Sequence, residues 1–200
     1  MKGNLYTLCY AAVLGSACAI VLTFAATFTA PYKQANAEAE EARNVLLALK
    51  VPFPPEASSR QILEIRDQNV KEKKLGDVVT YVYSDASGKT LAVALRFSGP
   101  GLWAPIKGFL ALEPDMKTIR GLTFYEQEET PGLGGEITSD WFRSNFAGKS
   151  IIGPDGKPGI EIRTGASGPN QIDAISGATM TCDKVEAMLN QAIRSIVQEN

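Results

Sequence analysis

The chain has 200 residues, with 20 Lys and Arg against 22 Asp and Glu for a net charge of −2. That length suffices for a membrane segment plus one globular domain with its own core, and the charge balance gives no broad basic face for nucleic acid. No histidine is present and the three cysteines form no C-x-x-C pair, which argues against Ser-His and Cys-His catalysis, histidine-ligated metals and Cys-ligated clusters.

Between Lys2 and Lys33 no charged residue occurs. Leu5 to Ala30 is long enough to span a bilayer with some tilt, since about 20 apolar residues suffice. Tyr6 and Tyr10 suit one interface and Tyr32 the other. Gly15, Ser16, Ala17 and Ala19 would let a neighbouring helix approach closely. Ala35-Asn36-Ala37 resembles a signal-cleavage site, but the apolar run exceeds the roughly 7–15 residues of a signal h-region. A retained anchor over residues 1–32 is therefore expected. The single lysine ahead of the span, against Lys33 followed by Glu38, Glu40 and Glu41, favours the N-terminus inside and the domain outside. In a bacterium that is a single-pass inner-membrane protein with a periplasmic domain.

Residues 33–76 read as a helical connector. Asn36 can cap a helix carrying early glutamates and an apolar stripe of Val45, Leu46 and Leu49, which ends at Pro52-Phe53-Pro54-Pro55. Ser58 to Gln61 is a capping box opening a second short helix through Ile62 and Ile65. The charges around Lys71 to Lys74 read as a solvated linker.

From residue 77 to 200 the texture becomes that of one domain. Val78 to Ser84 and Thr90 to Phe97 are strands around an Asp85–Lys89 turn, and Lys107 to Glu113 and Thr118 to Gln127 form another pair. Ser139 to Phe146 reads as a short helix, and Ile151-Ile152 and Ile160 to Arg163 add strand material. Thr181 to Gln198 is amphipathic, with Val185, Met188, Leu189, Ala192, Ile193 and Ile196 on one face. Short connections favour an antiparallel sheet flanked by helices, an α+β domain.

Three stretches carry chemistry. Gly101-Leu102-Trp103 could bring an aromatic face to a planar ring, although a core tryptophan is the plainer account. Glu129-Thr130-Pro131-Gly132-Leu133-Gly134-Gly135-Glu136 can fold tightly around a ligand, with Leu133 either a plug into the core or a cap over a flat group. Asp173-Ala174-Ile175-Ser176-Gly177-Ala178-Thr179 sets a hydroxyl among small residues where a helix is about to begin. A helix start presents free N–H groups and a partial positive charge, so it can hold a phosphate. An ordinary cap accounts for the same residues, and position alone does not choose between the two.

Together with the single apolar span, these three stretches resemble NqrC of the Na+-translocating NADH:quinone reductase, with RnfG of the ferredoxin:NAD+ complex next. The motifs cover roughly residues 95–198. The resemblance implies FMN linked through a phosphoester to Thr179, installed from FAD by a Mg2+-dependent flavin transferase that recognises Asp173, Ser176, Gly177 and Ala178. It implies Glu129, Thr130, Leu133, Gly134 and Trp103 as neighbours of the flavin, and leaves Thr181 or Asp183 to cap the helix. It also implies an electron-transfer subunit that exchanges electrons with other subunits of a membrane oxidoreductase complex involved in sodium transport, with no complete active site of its own. Ser176, G-L-W and G-G-E favour NqrC, whereas the short segment before G-L-W keeps RnfG in play. A membrane-tethered binding module and a stand-alone flavin reductase are the rival classes.

Overall fold

The computed structural model describes residues 2–75 and 78–199. The boundary expected between 76 and 77 lies outside the described residues. Backbone contacts divide the chain into two compact units, one running to Ala39 and one from Glu40 onward.

The first unit lies within helix α1, Lys2–Leu49, which is long and apolar enough in its early part to cross a membrane. Its side chains from residue 4 to 38 are exposed, and none of residues 4–32 carries a charge. Pro31 lies inside the helix and has no N–H to offer the carbonyl one turn earlier. Asn36 therefore does not cap a separate helix. The chain is already helical there, and the local capping signal yields to continuation of α1.

The second unit is built on a five-stranded antiparallel meander. Its strands are β1 (Val70–Leu75), β2 (Val78–Ser84), β3 (Thr90–Pro100), β4 (Pro105–Leu112) and β5 (Ile119–Glu126), in that spatial order. Side chains alternate between two cores, as the strand period of two requires. Ala92, Ala94, Phe109 and Ala111 face one core, which is covered by Val45, Leu46 and Leu49 of α1 and by Ile62 of helix α2, Ser59–Asn69. Leu95, Phe97, Leu110 and Leu112 face the other, covered by Val185, Leu189 and Ile193 of the last helix. The capping box at Ser58 and Gln61 forms as expected.

One local expectation is corrected. Lys71 to Lys74 is not a linker but the centre of β1, paired along its length with β2. It is an edge strand, and edge strands carry lysines that discourage pairing with other chains, so its composition imitates a loop. The strand material expected at Ile160 to Arg163 is present, outside the meander. Strand β6, Glu161–Arg163, pairs in parallel with β7, Gln171–Asp173. Helix α3, Asp140–Ser144, packs Phe142 into the larger core. The last helix, α4, runs Thr179–Glu199. Its side chains lock β6 in place: the Asn190 amide exchanges two hydrogen bonds with Ile160, and the Glu186 carboxylate accepts from the Ile162 N–H at 2.6 Å.

Candidate functional site

Strand β7 ends at Asp173 and leads directly into α4. The Asp173 carboxylate accepts from the Ala166 N–H at 3.0 Å, tying down the loop after β6. Ile175 to Ala178 form a turn closed by the Ala178 N–H on the Ile175 carbonyl, with Gly177 at φ +77°. That backbone conformation favours glycine. The Ala178 carbonyl then accepts the first bond of α4 from the Cys182 N–H.

The capping position of α4 is thus held by Ala178, whose methyl group cannot accept a hydrogen bond. The N–H groups of Thr179, Met180 and Thr181 have no acceptor among the described residues. Neither Thr181 nor Asp183 caps the helix, contrary to expectation: both lie inside its first turns. The Thr181 hydroxyl turns inward and donates to Glu129 at 2.6 Å. Thr179, two residues earlier, is exposed.

Glu129 is 4 % exposed. One carboxylate oxygen accepts from the Leu102 N–H at 2.7 Å and the other from the Thr181 hydroxyl. Two glycines make room for it. A Cβ at Gly101 would stand 2.6 Å from Oε1, and one at Gly134 would stand 2.9 Å from Oε2.

These segments enclose a cleft of about 240 Å³ lined by Leu102, Glu129, Thr130, Leu133, Gly134 and residues 177–181. The three sequence motifs, far apart along the chain, converge here. Of the predicted residues, Glu129, Thr130, Leu133, Gly134, Gly177, Ala178 and Thr179 line the cleft. Asp173 and Ser176 do not: the first stabilises the approach to α4, and the second is exposed on the turn. Trp103 is no core residue, being 74 % exposed beside Leu102, and it too is not among the residues that line the cleft. Met180 and the Leu102 N–H were not foreseen; an acidic residue flanked by glycines at 129–134 and 101 is the only local sign of the latter. A groove of about 300 Å³ elsewhere, between β2, β3 and α4, contains none of the motif residues.

The arrangement suits a particular kind of group. Unpartnered N–H groups at a helix start bind phosphate oxygens. Leu102, Leu133 and Met180 offer exposed apolar surface to a flat ring. The cleft is smaller than the roughly 300–1,000 Å³ of pockets that enclose a drug-sized ligand, so it would hold the phosphate end and one edge of a ring and leave the remainder outside. Among the described residues no cluster of acidic and cysteine side chains could hold a metal ion. The geometry therefore fits a phosphate-bearing planar cofactor.

Comparison with known proteins agrees. Residues 101–194 match the model of the FMN-binding domain family. The chain is 41 % identical over 107 residues to NqrC of the Na(+)-translocating NADH-quinone reductase of Pasteurella multocida, covering 52 % of this chain and 41 % of that one. With the corresponding protein of Yersinia pestis it shares 39 % over 116 residues, 56 % of this chain and 44 % of that one. The aligned stretch thus spans about two fifths of the curated relatives' length. The fold is similar to that of Shewanella oneidensis NqrC, with a TM-score of 0.68, 24 % identity and coverage of 82 % and 99 % of the two chains. It is likewise similar to the NqrC of Parabacteroides distasonis, with a TM-score of 0.70, 24 % identity and coverage of 84 % and 94 %. Residues 101–194 are thus similar to the FMN-binding domain family, and the chain as a whole has an NqrC-like fold.

Proposed function

We propose that the chain is a membrane-anchored electron-transfer subunit that carries FMN as a phosphoester on Thr179, within a Na+-translocating NADH:quinone reductase complex. The observation that carries this is the start of α4: an exposed threonine hydroxyl as its first residue, three unpartnered N–H groups in its first turn and no capping side chain. Such free N–H groups and the partial positive charge of a helix start favour an anion settling there. The names of the curated relatives support the complex.

When bound, FMN supplies the one- and two-electron chemistry. The chain's own residues bind and orient it. The N–H groups of residues 179–181 hold phosphate oxygens, Gly177 lets the group approach the backbone, and Leu102, Leu133 and Trp103 present apolar surface to the ring. Thr130 and Gly134 complete the cleft wall. A covalent link removes dissociation as a route of loss, which suits a domain on the periplasmic side, where released FMN would not return. The absence of histidine suits a relay better than a site needing a neutral-pH acid–base pair.

In this arrangement residues 1–32 anchor the protein in the inner membrane and residues 33–76 connect. Residues 77–200 carry the flavin, with β1 lent to the sheet by the connector. A separate flavin transferase makes the bond, and Asp173 and residues 176–178 shape what it meets. The test is co-expression with a flavin transferase followed by intact mass and in-gel fluorescence. The parent gains the mass of FMN less water, whereas Thr179→Ala stays at its unmodified mass while keeping its fold. A fluorescent band that persists in Thr179→Ala would end this assignment. Proteins that co-purify from native membranes separate the quinone reductase from the ferredoxin-dependent complex.

A further inference from the structure

Glu129 stands out as a buried acid to which no described cation is paired. Its burial would be costly without hydrogen bonds, and both oxygens have one, from donors in segments far apart in sequence. The glycines at 101 and 134 are shaped around it. The free N–H end of α4, where Thr181 sits, supplies further compensation for a negative charge.

Two consequences follow from that geometry. First, a single carboxylate holds the 101–103 turn, the 129–136 loop and the first turn of α4 in one register, and these are the walls of the cleft. By keeping the Thr181 hydroxyl turned inward, it leaves Thr179 as the exposed hydroxyl of that turn. Second, Glu129 lines the cleft, so its charge lies beside whatever the cleft holds, in surroundings where water and salt screen it poorly. A fixed negative charge there opposes the gain of electrons by a neighbouring ring.

We propose that Glu129 is a positioning residue rather than a direct ring contact: it braces the three walls of the site and, through its charge, lowers the reduction potential of the flavin held there. This rests on the assignment of FMN to Thr179.

Glu129→Gln and Glu129→Ala separate the two roles. Glutamine can accept from the Leu102 N–H and donate to the Thr181 hydroxyl, so it keeps the brace and loses the charge. Alanine loses both. Thr181→Val removes one arm of the brace and Thr181→Ser restores it. Each full-length protein is studied unmodified by hydrogen exchange, and after flavin loading by spectroelectrochemistry and fluorescence anisotropy. In unmodified protein the Leu102 amide is slow in the parent, Glu129→Gln and Thr181→Ser, and at least tenfold faster in Glu129→Ala. In loaded protein Glu129→Gln has a more positive midpoint potential than the parent. Thr181→Val shows lower flavin anisotropy, which Thr181→Ser recovers. An unchanged Leu102 amide in Glu129→Ala, or an unchanged potential in Glu129→Gln with flavin mapped to Thr179, overturns the proposal. A parent that takes up no flavin overturns the assignment to Thr179 instead, and the exchange experiment then still decides the brace.

Discussion

Leu133 packs over Gly177, its Cδ2 lying 3.3 Å from the point where a glycine Cβ would stand. One residue belongs to the glycine-rich loop after β5 and the other to the turn before α4, so the two motifs meet side chain to backbone. This contact narrows the approach to the turn, and together with the φ of +77° it makes Gly177 sensitive on two counts.

Gly177→Ala is expected to destabilise the domain by about 1–2 kcal/mol, the cost of a left-handed conformation for a residue with a Cβ. Leu133→Ala removes the crowding but not the backbone strain. The double variant therefore recovers little of the loss in chemical denaturation. Flavin loading should fall in Gly177→Ala, because the turn must shift to relieve both constraints. Equal denaturation midpoints for parent and Gly177→Ala would contradict this account.

Gly134→Ala meets a harder obstacle. Its Cβ would stand 2.5 Å from the Thr181 hydroxyl oxygen and 2.9 Å from Glu129 Oε2, both held by the hydrogen bond between them. Overpacking of this kind costs about 1–3 kcal/mol. The expected signature is a lower unfolding midpoint together with faster amide exchange at residues 179–182. Gly132, where no atom lies within 4 Å of the added Cβ, is the control: its φ of +73° gives backbone strain without disturbance of α4.

Cys182 lies three residues after Thr179 and is 1 % exposed. Burial holds its thiol above the ordinary 9.0, with smaller contributions from the carboxylates of Asp183 and Glu186. Because the reactive species is the thiolate, alkylation of the native protein at about pH 8 should be far slower at Cys182 than at a free thiol. It should become fast on denaturation, as read by peptide mass mapping. A group whose folded pKa is raised stabilises the fold fully below its unfolded value and loses that contribution as pH rises through the folded value. Cys182→Ala should accordingly lose less stability than the parent between about pH 8 and about pH 10. Rapid labelling of Cys182 in the folded state would show that α4 opens at its first turns.

What was legible in the sequence depends on how local its cause is. The membrane-length apolar run of α1, the capping box at Ser58 and Gln61, the strand-forming runs of β3 and β4 and the apolar stripe of α4 each follow from neighbours within a few residues. All were readable in advance. The motifs at 101–103, 129–136 and 173–179 were visible too, as were most of the residues that line the cleft.

Other features depended on partners that the chain reaches only by folding. Lys71 to Lys74 looks like a linker because an edge strand shows its charges to solvent, and only pairing with β2 makes it a strand. Asn36 looks like a cap until α1 runs through it. Strand β7, three residues long, has no periodicity to reveal it and exists because β6 lies beside it. The roles of the two threonines of α4 were decided in the same way. Residue type and position nominated Thr179 and left Thr181 or Asp183 as a cap. Burial of Glu129 against Leu102 and Gly134 turned the Thr181 hydroxyl inward and left Thr179 exposed, because a buried carboxylate must find its donors wherever the fold brings them. Residue order alone thus nominated the groups proposed to carry the chemistry, while packing between distant segments settled which hydroxyl stands open and which is held.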